Sequence, residues 1–130
     1  MSTITTHVLD TVLGKPAAGI GVRLDRLEGG GWVEVSSGRR TRADRVQGVP
    51  GAWVTVSISK TDADGRCRDL IKNASASTYR LMFDTGAYFA RAGRSGIYPE
   101  ISIVFVCTGE GNYHLPLLLS DNSYTTYRGS

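Results

Sequence analysis

The sequence predicts an all-β fold, a sandwich or barrel with one short helix, on three observations. Apolar and polar residues alternate over short segments, as strands with one buried face require. Those segments are rich in β-branched and aromatic residues. Between them stand turn formers, as in Leu13-Gly14-Lys15-Pro16, Gly29-Gly30-Gly31 and Asp64-Gly65.

Taken in order, the first clear strand is Gly21 to Leu27, where Val22 and Leu24 point one way and Arg23 and Asp25 the other. Trp53 to Ser59 repeats the pattern, with Val54, Val56 and Ile58 set against Thr55 and Ser57. Tyr79 to Phe83 and Ile101 to Val106 follow. The helix spans Thr85 to Ala92, with Asp84 or Thr85 as N-cap, Gly93 as the stop, and Tyr88 and Phe89 toward the core. The stretch Trp32 to Val46 echoes Trp53 to Cys67, a strand-plus-turn unit written twice. Two copies are too few for a solenoid, so an extra hairpin or long loop is expected, an insertion around 39–60 in a single domain of residues 1–130.

A chain of 130 residues can close one real core but not two. Its 41% hydrophobic and 21% charged content excludes a disordered chain. No apolar run approaches the roughly 20 residues of a transmembrane helix, and the opening MSTITTHVLD lacks the basic-then-apolar layout of a secretory signal. The terminal Arg-Gly-Ser is not a peroxisomal address. A cytoplasmic protein with no membrane partner is expected, and Cys67 and Cys107 are then expected as free, buried thiols. Asn73-Ala74-Ser75 spells a glycosylation sequon that such a protein never uses. The net charge of +3 is concentrated in Arg39, Arg40, Arg42 and Arg45, too thin a footprint for nucleic acid. A modest positive field suits a small anionic substrate.

Histidine is the side chain that exchanges protons near neutrality, and the sequence has two, His7 and His114, each within an expected strand near one end. Either alone reads more readily as a hydrogen-bonded structural residue than as a catalyst, and together they lack the spacing of a zinc site. Asp62-Ala63-Asp64-Gly65 opens like a calcium loop, but Asn73 stands where the closing Glu belongs, so it reads as a hairpin turn. That turn places Arg66 at the head of the next strand, either solvated or holding an oxyanion or a planar carbonyl edge. The C-terminus closes on Tyr127-Arg128-Gly129-Ser130, where fraying is the default.

Several segments, in order and over nearly the whole chain outside the echo, resemble the 5-hydroxyisourate hydrolases of the transthyretin-related family. They are Thr5-Thr6-His7-Val8-Leu9-Asp10-Thr11, Thr61 to Cys67, Tyr79 to Phe89, Tyr98-Pro99, Tyr113 to Ser120 and the closing Tyr127-Arg128-Gly129-Ser130. The resemblance implies a transthyretin-like (prealbumin-like) two-sheet sandwich, assembled as a homotetramer, a dimer of dimers, with active sites in the channel between dimers. It implies hydrolysis of 5-hydroxyisourate, a small anionic ureide, to 2-oxo-4-hydroxy-4-carboxy-5-ureidoimidazoline in urate catabolism, with no metal or organic cofactor. The residues it implies as catalytic are His7, Arg66, His114 and Ser130, with Tyr127, Arg128 and Gly129 beside Ser130 and Arg66 at the substrate. A non-catalytic small-molecule carrier of the transthyretin type is the alternative, because fold does not fix function.

Three departures from the family pattern stand out. Asn112 occupies the place of a further histidine. Asp121-Asn122-Ser123 replaces a Pro-aromatic-Gly turn and is expected to loosen it. The echo offers Arg45 as a rival to Arg66, and the turn glycine Gly65, which the first copy lacks, favours Arg66.

Overall fold

The computed structural model describes residues 1–28, 32–34, 40–42 and 52–129. Two sheets face each other across one apolar core. The first combines strands β1 (Ser2–Asp10), β2 (Lys15–Pro16), β7 (Arg66–Ala74), β10 (Asn112–Leu119) and β11 (Tyr124–Thr126). β10 lies between β11 and β1, and β2 and β7 share the far side of β1. The second sheet runs β6 (Ala52–Lys60), β3 (Gly21–Glu28), β8 (Ser77–Phe83), β9 (Ile101–Cys107). A separate ribbon pairs β4 (Trp32–Glu34) with β5 (Arg40–Arg42). The all-β sandwich with one short helix that the alternation predicts is the observed architecture.

The period-two pattern sets the layers. In β1, Ser2, Ile4, Thr6, Val8 and Asp10 are buried, and the residues between them face the other side of the sheet. Tyr113, Leu115, Leu117 and Leu119 of β10 meet Val22 and Leu24 of β3 and Tyr79, Leu81 and Phe83 of β8 in the same core. β1 and β10 run parallel, from Thr3↔Asn112 to Asp10↔Leu119, so the two ends of the chain lie side by side at the centre of the first sheet.

The echo resolves in favour of its second copy, which supplies β6 and, after the turn, β7. The first copy contributes the β4–β5 ribbon; positions 35–39 and 43–51, Arg45 among them, lie outside the described residues. Along β6 the expected alternation breaks. A bulge pairs Leu24 with Ser57 and Asp25 with Thr55, so Val56 is the extra residue and the phase reverses across it. Val56 still packs on the core, whereas Ile58 pairs with Arg23 and is 77% exposed.

The helix α1 (Thr85–Arg91) is capped by the Asp84 carboxylate, which accepts from the Ala87 amide at 3.2 Å. Phe89 is buried in the core, and Tyr88 donates its hydroxyl proton to Asp10 at 2.7 Å. Asp10, fully buried at the end of β1, also accepts from Arg94 at 2.5 Å and from the amides of Val12 and Leu13. Burial alone would raise its pKa, but the hydrogen bonds from Arg94 and Tyr88 outweigh that and hold it at about 2.

Arg94 also pairs with Asp121, whose carbonyl accepts from the Ile97 amide at 2.8 Å. Within the same turn the Ser120 amide donates to the Ser123 carbonyl at 2.9 Å. Asp121-Asn122-Ser123 is therefore tied to its surroundings by these contacts. Polar contacts hold the turn where a proline would have stiffened it.

Cys67 and Cys107 are free and buried, as the cysteine reading expects, and burial pushes the Cys67 thiol up to about 11. No helix among the described residues is long and apolar enough to cross a membrane.

Candidate active site

The parity of β1 puts Thr3, Thr5 and His7 on the face turned away from the core. Its neighbours bring partners to that face. Thr3 lies opposite Asn112 and Thr5 opposite His114 in β10, while His7 lies opposite Arg66, the first residue of β7. Thr3, Thr5, Arg66, Asn112 and His114 line a cleft of about 370 Å³.

Each group in the cleft is held by a local device. The Thr3 hydroxyl donates to Asn112 Oδ1 at 2.6 Å. The Thr5 hydroxyl lies 2.8 Å from Nδ1 of His114. Arg66 is aimed by the turn before it, where the Asp62 carboxylate accepts the amides of Asp64 (2.9 Å) and Arg66 (3.0 Å). Gly65 takes φ +76°, and a Cβ there would stand 2.4 Å from the Val8 carbonyl, so the turn requires glycine on both counts. Asp62 to Gly65 form a tight turn, as expected, but not a hairpin: β6 pairs with β3 in the second sheet and β7 with β1 in the first, so the turn carries the chain from one sheet to the other.

The two histidines are set differently. Nε2 of His7 is 2.8 Å from the Asp64 carbonyl. A carbonyl only accepts, so Nε2 carries the proton, and neutral His7 keeps its lone pair on Nδ1. His7 borders the site without lining the cleft. His114 lines it, and its pKa is held below the ordinary histidine value by burial first, then by the Arg66 cation, and by His7 when that ring is protonated. It therefore stays neutral, able to accept a proton, further into the acid range.

The C-terminal segment turns back along β10. The Gly129 amide donates to the His114 carbonyl at 2.7 Å, an antiparallel bridge. Arg128 lies over the Tyr113 ring, 4.0 Å from its centroid, and donates to the Asn112 carbonyl. Tyr127 is exposed. Gly129 and Arg128 brace the strand bearing His114, none of the three lines the cleft, and Ser130 lies outside the described residues.

A Cβ on Gly129 would stand 2.8 Å from Cδ2 of His114. Gly129→Ala is therefore expected to turn that ring, seen as a shift of the His114 side-chain NMR signals, with little change in Tm. Unmoved His114 signals would show that the ring has room to spare.

Residues 4–129 match the model of the HIUase/Transthyretin family. The chain belongs to that family. A mouse (Mus musculus) 5-hydroxyisourate hydrolase is 42% identical over 132 residues, covering 99% of this chain and 96% of the relative. The uric acid degradation bifunctional protein TTL of Arabidopsis thaliana is also 42% identical, over 98% of this chain but only 37% of its own length. Among solved structures, the 5-hydroxyisourate hydrolase of Klebsiella pneumoniae superposes with a TM-score of 0.72 at 35% identity, covering all of both chains. Sea bream transthyretin in complex with thyroxine superposes with a TM-score of 0.76 at 28% identity, over 98% of this chain and 94% of that one. The HIUase/Transthyretin fold thus occurs both in a protein named as a hydrolase and in one solved in complex with thyroxine.

Two of the cleft residues, Thr3 and Thr5, are ones the sequence reading passed over. The signal was present in the spacing, since residues two apart on a strand share a face with His7. The anchor for His7 is a backbone carbonyl, which no side-chain pattern announces.

Proposed function

We propose that this chain is a 5-hydroxyisourate hydrolase of urate degradation, opening a cyclic ureide with water. What carries the reading is the convergence of His7, Arg66 and His114 from three strands onto one polar face beside a cleft. The named hydrolases at 42% and 35% identity support it.

In this mechanism the cleft holds the planar ring with a carbonyl toward Arg66. The guanidinium draws in the anionic substrate and stabilises the oxyanion as it develops. His114, kept neutral by burial and by the Arg66 cation, takes a proton from water as the water oxygen bonds to the carbonyl carbon. The ring C–N bond then breaks, and its nitrogen receives that proton. His7, with its free lone pair on Nδ1, assists proton transfer or serves as the base in place of His114. Ser130 positions the water or the substrate. Neither a metal nor an organic cofactor enters this scheme. The working form is a cytoplasmic homotetramer, a dimer of dimers.

The test generates hydroxyisourate in place from urate and urate oxidase and follows the loss of its ultraviolet absorbance. Purified protein is expected to speed that loss in proportion to its concentration. A rate equal to spontaneous decay, with saturable binding of a small molecule, would replace the hydrolase reading with the carrier reading.

A further inference from the structure

The hydrolase reading above requires His114 to hold one orientation through a change of proton state, and it leaves open what holds it. We propose that Thr5 is the positioning residue for His114. Its hydroxyl fixes the Nδ1 side of the ring so that Nε2 is presented to the cleft in every proton state that hydrolysis passes through.

The geometry comes from the strand register. Thr5 and His114 are opposite residues of the parallel β1–β10 pair, and 2.8 Å separates Oγ1 from Nδ1. On the other edge of the ring, Gly129 closes against Cδ2. With Nδ1 engaged and Cδ2 covered, Nε2 is the ring nitrogen left for a ligand in the cleft that His114 lines.

The chemistry of the partner matters as much as its place. His7 bonds to a carbonyl, which accepts only and so selects one neutral tautomer. His114 bonds to a hydroxyl, which accepts or donates by rotating about its C–O bond. When Nε2 carries the lone pair, Nδ1–H donates to Thr5. When Nε2 takes the proton released by the attacking water, the imidazolium keeps that same bond. When Nε2 passes the proton to the departing ring nitrogen, the bond is again unchanged. Should the neutral ring instead carry its proton on Nε2, the Thr5 hydroxyl reverses and donates to Nδ1. No oxidant or further reactant is involved, since the proton taken from water is the one delivered to nitrogen. The charged or titratable groups facing His114 are the Arg66 guanidinium from β7 and the His7 imidazole from β1, and a positive charge on either disfavours the His114 imidazolium. A neutral hydroxyl orients the ring without adding charge of either sign to that balance.

The experiment compares the full-length wild type with Thr5→Val, which keeps the β-branch and removes the hydroxyl, and with Thr5→Ser, which keeps the hydroxyl. Imidazole ¹⁵N shifts across a pH series report tautomer and protonation, and with two histidines in the sequence only two rings need assigning. In Thr5→Val the His114 nitrogens should shift and their pH response change, while those of His7 hold their pattern. The same variant should lose about tenfold to a hundredfold in kcat with KM little altered, the usual effect of removing a histidine's orienting partner. Thr5→Ser should recover most of that loss and the wild-type pH profile. Thr5→Ala supplies the same comparison if circular dichroism shows Thr5→Val poorly folded. Wild-type kcat and pH profile in a folded variant lacking the hydroxyl, or unmoved His114 shifts, would overturn the proposal. A wild type without turnover would instead overturn the hydrolase reading, and the ring shifts would still decide whether Thr5 sets His114.

Discussion

Arg66→Ala is expected to lower kcat/KM for hydroxyisourate by about two to three orders of magnitude, the cost of removing a donor aimed at a developing oxyanion. Arg66 is half-buried at the head of β7 and takes part in no ion pair among those described, so little of its role is spent on the fold. Circular dichroism and Tm should stay close to wild type, which separates a chemical loss from a structural one. Arg66→Lys should recover the smaller part of the loss, because a lysine restores charge without the planar fork that matches a carbonyl edge. The variant should also carry a shifted pH profile. Removing a cation beside His114 lets its pKa rise toward the ordinary histidine value, and the acid limb of the rate profile moves up with it. An alanine variant with wild-type kcat/KM would remove Arg66 from the reaction, and with it the strongest electrostatic argument for hydrolysis.

Arg94→Ala is expected to carry the largest stability cost, about 3 to 5 kcal/mol at neutral pH, because it leaves the Asp10 carboxylate buried without its cation. The same change releases Asp121 and removes the guanidinium from over the Phe89 ring, 5.0 Å from its centroid. The effect should depend on pH with a definite sign. In the folded protein Asp10 titrates at about 2, below its model-peptide value of 3.8. The stabilisation is therefore complete above about pH 4 and lost as the pH falls through about 2. Urea midpoints of wild type and variant should lie far apart at pH 7 and draw together in acid. A gap independent of pH would mean that Arg94 contributes packing rather than charge.

Much of the fold was legible because burial imposes a period on the sequence. The alternations at Gly21 to Leu27, Tyr79 to Phe83 and Ile101 to Val106 became β3, β8 and β9, and Asp84 caps the helix as its position suggested. Val54, Val56 and Ile58 were misleading for a local reason. A bulge opposite Leu24 and Asp25 inserts one residue and reverses the phase, and nothing in the spelling of β6 marks that insertion.

The site was legible in its residue types but not in its geometry. Two histidines and an arginine after a turn are visible as candidates, yet their meeting depends on strand order, which periodicity leaves undetermined. It took the family resemblance to group His7, Arg66 and His114, and the register of β1 with β7 and β10 supplies the physical reason for the grouping. The threonines of β1 were overlooked because each, taken singly, looks like an ordinary strand residue. Their importance arises from what stands opposite.

The parallel pairing of β1 with β10 bears on how the molecule is made. β1 is made before β10, the strand that flanks it for most of its length, and 109 residues separate the paired Thr5 and His114. The cleft therefore cannot exist on a nascent chain, and half-finished polypeptides present a long β edge with no cover. Closure of a loop of about this length must precede any reward from those contacts, which favours slow folding. Formation of the cleft is thus coupled to synthesis of β10, and a product released before that strand is made can pair β1 with β2 and β7 but cannot close the cleft.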